Sequence, residues 1–174
     1  MYGAHVDAID RSPGRLSTLK NNLQRLNFKA NIIEANAEIW RPDSLSDGLL
    51  LDAPCSTTGT MRRHPDIMWR RKPLDILQLS KIQLRLLKSA VEMIKPGSLL
   101  VYTVCSLQPE EGPQLIKKFL DQYKNVERVG IKHNEIETLP EFITPIGDLL
   151  TLPCHLKSLG GLDGFYSVRL RRNL

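Results

Sequence analysis

The chain has 174 residues, of which 41% are hydrophobic and 25% charged, with a formal net charge of +5. That length can bury the core of one domain, and no apolar run approaches the roughly 20 residues of a membrane span. The basic excess fits a nucleic-acid partner and, on charge alone, fits a basic solvated surface equally well.

In chain order, Ala4 to Asp10 reads as a short buried strand ending in an acid. Ser12 can cap the helix that follows and Pro13 suits its first turn, while Leu16, Leu19, Leu23 and Leu26 recur at helical spacing. Residues 30–36 form a second short strand, and Trp40 to Ser46 is loop-like. Residues 48–53, "GLLLDA", form a third buried strand. Residues 56–73 carry Thr, Gly, Pro and five Lys or Arg, which predicts a long surface loop; long loops inside a compact domain are usually functional. Helical spacing resumes from Leu74 to Ile94 and stops at "KPG". A fourth strand spans 98–106. Pro109-Glu110-Glu111 opens a further helix with Leu115, Ile116, Phe119 and Leu120 on its inner face. Beyond it the strand signals weaken, the clearest being residues 164–171.

Strands alternating with helices predict an α/β fold with a doubly wound, mostly parallel sheet. Such sheets bind ligands beyond the carboxyl ends of their strands. Asp10, Asn36, Asp52, Cys55 and Cys105 all fall at or just after predicted strand ends. An acid in the position of Asp10 accepts hydrogen bonds from ribose hydroxyls in dinucleotide folds, or simply favours a helix start. Asn36 can meet an adenine edge or be a turn residue. Asp52 emerges from three leucines, a costly place for a carboxylate that is neither paired nor used.

The three cysteines, Cys55, Cys105 and Cys154, are dispersed, odd in number and free of any CxxC spacing. With no secretory signal at the start, they read as reduced thiols in the cytoplasm, and their dispersal argues against a zinc site. Cys55 and Cys105 can be inert core residues or reactive thiols. Reactivity needs a lowered pKa, for which Arg62, Arg63, Arg70, Arg71 and Lys72 offer a positive field. Cys154 beside His155 looks like a dyad but sits at no strand end. In "MRRHPDIMWRR", Arg62, Arg63, His64 and Arg70 can meet phosphates while Trp69 stacks on a base, or the stretch is an amphipathic surface loop.

"LLLDAPCSTTGTMRRHPDIMW", followed by "LLVYTVCSLQPEEG", resembles the RNA cytosine-5 methyltransferases of the Nol1/Nop2/Sun family, nearest to its bacterial 16S ribosomal RNA members, the Sun group. "LPCHLKSLGGLDGFYSVRLRR" resembles the family's C-terminal end, so the likeness covers essentially the whole chain. It implies a Rossmann-like fold that uses S-adenosyl-L-methionine on RNA, with small-subunit ribosomal RNA as partner. By position, Asp10 matches the acid on the cofactor's ribose. Asn36 stands where the family usually has an acid near the adenine, keeping a hydrogen-bonding side chain without the charge. Asp52 matches the strand-end acid near cofactor and target base, Cys105 the nucleophile, and Cys55 the cysteine that assists product release.

The resemblance also implies that the family's first strand and glycine-rich loop precede the position of Met1. Residues 1–174 are therefore expected to be a partial, N-terminally truncated methyltransferase domain, with a second chain supplying the missing segment as one reading. The alternative is a catalytically incompetent remnant that binds RNA or a partner; titration with S-adenosylmethionine separates the two. A cysteine phosphatase is excluded because the Cys55-to-Arg62 spacing does not fit its phosphate loop.

Overall fold

The computed structural model describes residues 3–136 and 140–174, which divide into two compact units, 1–43 and 44–174. The first unit is one βαβ turn: β1 (Asp7–Asp10), α1 (Pro13–Leu26) and β2 (Asn31–Glu34), with β1 and β2 paired in parallel. Ser12 caps α1 by accepting the Arg15 N–H, and Pro13 opens the first turn at no hydrogen-bonding cost. Asn27 ends it in the left-handed conformation, where its amide N–H reaches the last carbonyls. Neither strand contains a buried residue, unlike the buried strand expected over residues 4–10.

The second unit holds a five-stranded sheet in the order β3 (Ser46–Asp52), β4 (Ile94–Val104), β7 (Phe165–Arg172), β5 (Val126–Arg128), with β6 (Leu149–Thr151) also paired to β7. β3 and β4 run parallel, and β7 runs antiparallel to its three neighbours. The parallel pair requires a crossover, supplied by α2 (Ile67–Arg70) and the long α3 (Pro73–Met93). Gln83, Leu87, Ala90 and Val91 form the buried stripe of α3 at helical spacing. α4 (Pro113–Gln122) adds Leu115, Ile116 and Phe119 to a core built on Leu100, Tyr102 and Val104 of β4. Full burial of each such aliphatic side chain stabilises the fold by about 1.5–3 kcal/mol.

Two expectations are corrected here. Leu50 of β3 is 68% exposed, whereas Leu49 and Leu51, on the other face by the period of two, pack on the core. Residues 56–73 are not a surface loop throughout. Ser56, Thr58, Gly59, Thr60 and Ile67 are buried, a 3-10 turn spans Thr58–Thr60, and α2 follows. The composition there is polar because the buried turn is held by hydroxyl hydrogen bonds rather than apolar packing.

Candidate active site

Parallel register puts Asp52 opposite Thr103. The segments leaving the two strands therefore start side by side, one carrying Cys55 and the other Cys105. They are stitched at once: the Ala53 N–H donates to the Thr103 carbonyl (3.1 Å) and the Gly59 N–H to the Cys105 carbonyl (3.0 Å). Gly59 then presses on the approach to β7, where its carbonyl accepts the Gly164 N–H at 2.7 Å. A Cβ on Gly59 would lie 1.8 Å from the Gly164 oxygen, so only glycine fits this crossing.

The result is direct contact between two thiols far apart in sequence. The Cys55 and Cys105 sulfurs are 3.5 Å apart and both are free. Cys55 is buried; Cys105 is half-buried. The contact splits their acidity. Cys105 is lowered to about 7, first because the Cys55 thiol hydrogen-bonds to its sulfur, against opposing effects of desolvation and the nearby Asp52 charge. Cys55 moves far up, because the proton it shares with Cys105 is held between the sulfurs and because it is desolvated. The pair titrates as a unit in which the first proton leaves Cys105.

The sulfur contact ranks above the positive field read from the sequence, to which Arg63 contributes through the Cys105 charge. The arginines also have partners of their own. Arg71 donates to the Ser56 carbonyl at 3.0 Å, Arg62 to the Gly160 carbonyl at 2.9 Å, and Arg63 pairs with Asp163. The sulfur neighbour outranks them.

Asp52 is exposed at the end of β3, yet surrounding atoms desolvate its carboxyl enough to raise its pKa. In the other unit, Asp10 accepts both Nε (2.7 Å) and Nη2 (2.6 Å) of Arg15 and the Ser12 N–H (2.8 Å), which hold its carboxyl below the ordinary range. Asn36 is exposed and its side-chain oxygen accepts the Glu38 N–H at 3.0 Å, an Asx turn. Cys154 is exposed, and His155 accepts the Leu152 N–H and stacks on Phe142 with ring centroids 4.9 Å apart. That pair makes no dyad.

Beside the thiol loop, Thr57, Thr60, His64, Asp66, Ile67, Arg70 and Arg71 line an open cleft of about 460 Å³. Neither cysteine forms its wall. Trp69 is 87% exposed and Met68, next to it, 66%. Arg62 and Arg63 keep about half of their side chains in solvent despite their Asp163 contacts (47% and 57%).

The sequence reading passed over a second layer. Ser56 and Ser106, each following a cysteine, are buried with hydroxyls 3.1 Å apart, and both meet Glu111, itself fully buried. The repeated Cys-Ser at both strand ends was the available signal.

A sequence-family profile for 16S rRNA methyltransferase RsmB/F matches residues 2–171. The ribosomal RNA small subunit methyltransferase B of Klebsiella pneumoniae (strain 342) is 44% identical over 127 residues, covering 71% of this chain and 30% of the relative. The chain thus spans about three tenths of the length of the curated relatives it matches. Among solved structures, that of PH0851 superposes with a TM-score of 0.82 at 27% identity, over 97% of this chain and 37% of its own. A methyltransferase homologue from Pyrococcus horikoshii gives 0.72 at 26%, over 97% of this chain and 53% of its own.

Proposed function

We propose, for a chain that belongs to the 16S rRNA methyltransferase RsmB/F family, that it is the catalytic part of an S-adenosylmethionine-dependent enzyme methylating C5 of a cytosine in small-subunit ribosomal RNA. The thiol contact carries this reading. C5 of cytosine is a poor nucleophile, and a thiolate adding to C6 pushes electron density onto C5. Cys105, with its pKa near 7, is the thiol suited to attack at neutral pH. Cys55 keeps its proton and lies 3.5 Å away, suited to assist when the C5 proton leaves and the C6–sulfur bond breaks. The Asp52 carboxyl, with its raised pKa, suits a group that shares a proton with the ring at N3 and N4 as charge develops there.

S-adenosylmethionine supplies, when bound, an electrophilic methyl group on a sulfonium. The donor set fits its nucleoside: the Asp10 carboxylate ends a parallel strand ahead of a helix, and Asn36 offers an amide just beyond β2. We assign ribose contact to Asp10, the adenine side to Asn36, and the edge shared with the target base to Asp52. Trp69, His64 and Arg70 at the cleft, with Arg62 and Arg63, are assigned to the RNA: an exposed indole for stacking and cations for phosphate. The chemistry requires reduced thiols, so a cytoplasmic setting belongs to the proposal. Among the described residues no helix is long and apolar enough to cross a membrane.

The test is methyl transfer to small-subunit ribosomal RNA by the chain, Cys105→Ala and Cys55→Ala, beside direct titration with S-adenosylmethionine. Loss of turnover in Cys105→Ala and a trapped RNA–protein adduct in Cys55→Ala support the assignment. An active Cys105→Ala chain overturns it.

A further inference from the structure

We propose that Glu111 is a positioning residue: its buried carboxylate ties the Ser56 and Ser106 hydroxyls together and thereby holds the neighbouring thiols in contact. This rests on the reading of Cys105 as nucleophile but reaches a residue that touches no reacting atom.

The geometry is a two-sided clamp. One carboxylate oxygen accepts the Ser56 N–H at 2.9 Å and the Gln83 amide at 3.0 Å. The other accepts the Ser56 and Ser106 hydroxyls, each at 2.5 Å. Four donors from three elements converge on two oxygens, which is the full complement of a carboxylate. Gln83 ties the clamp to α3 and, at 2.9 Å, to the Pro54 carbonyl directly before Cys55. Thr58 closes it, lying 3.1 Å from the Ser106 hydroxyl and accepting the Leu107 N–H. Each serine directly follows one of the cysteines, so fixing both hydroxyls on one oxygen fixes the separation of the two sulfurs. A buried acceptor that lost this role would leave its donors unpaired.

The sign of the expected effect separates clamping from simple charge. Cys55, Asp52, Glu111 and Arg63 are the titratable groups that bear on Cys105. Cys55 lowers its pKa and is the largest influence; the Glu111 charge raises it and is the smallest named. If Glu111 acted by charge alone, Glu111→Gln would make Cys105 more acidic. If it clamps, the same change loosens the sulfur contact and makes Cys105 less acidic.

The experiment is the pH dependence of Cys105 alkylation by iodoacetamide, followed by peptide mass spectrometry on the full chain. Glu111→Gln is expected to shift the profile to higher pH, slowing alkylation at pH 7 by about fivefold for a one-unit rise. Ser106→Ala should shift it the same way with the charge intact. Asp148→Asn, which alters another fully buried carboxylate, should leave it in place. A downward or absent shift in Glu111→Gln, or an equal shift in Asp148→Asn, overturns the proposal. Should Glu111→Gln fail to fold, unchanged profiles in both Ser56→Ala and Ser106→Ala overturn it instead. The readout needs no RNA or cofactor, so a chain that shows the shift without methyl transfer upholds the clamp while refuting the functional reading.

Discussion

Removing the Cys55 sulfur tests the source of Cys105 reactivity. In the intact chain Cys105 has a pKa of about 7, so about half is thiolate at pH 7. The largest cause is the hydrogen bond from Cys55; the backbone N–H of Cys105 lowers it further, while desolvation, Asp52 and Glu111 push the other way. Cys55→Ala therefore returns Cys105 toward the ordinary value of about 8.5, where about 3% is thiolate at pH 7. The loss is about 15-fold in thiolate, or about 2 kcal/mol at 1.36 kcal/mol per unit. Alkylation of Cys105 by iodoacetamide reads this directly and should fall by about that factor at pH 7, with the two chains converging well above pH 9. Because the thiolate is the attacking form, adduct formation on RNA should rise with pH through about 7 in the intact chain, and only at higher pH in the variant. If Cys105 titrates at the same pH in both chains, the sulfur contact does not set its acidity and the argument from geometry is wrong.

Two further outcomes follow from packing. Gly59→Ala drives a methyl group into the Gly164 carbonyl, a backbone atom that cannot swing aside, so it should cost about 3 kcal/mol and roughly 10 °C in thermal midpoint, measured by calorimetry. Arg128→Met strands the fully buried Asp148 without the guanidinium it pairs with, at about 3–5 kcal/mol; adding Asp148→Asn should recover part of that in denaturant unfolding.

The sequence discloses the elements that rely on local signals. α1 appears with its Ser12 cap and leucine spacing, and α3 with its buried stripe. Burial was harder to see. Three consecutive leucines predict a strand covered on both faces, but the face carrying Leu50 is open, and which face is covered is fixed by long-range packing that no local pattern encodes. The turn after Cys55 misled for the opposite reason. Its Ser, Thr and Gly read as solvated, whereas the hydroxyls satisfy one another and a carboxylate inside the core.

The candidate site shows the same division. Residues at strand ends were visible because a parallel α/β sheet delivers polar side chains there. Their energetic relations were not. Five cations near a thiol suggest electrostatic activation, but cations that find partners on the protein are spent locally, and screened ones act weakly over distance. A thiol donor in contact acts undiluted. Placing two cysteines one residue before two serines converts a hydrogen-bond clamp in the core into a fixed sulfur separation. The acidity of Cys105 is then set chiefly by the buried hydroxyls that hold its sulfur neighbour rather than by arginines engaged with partners of their own.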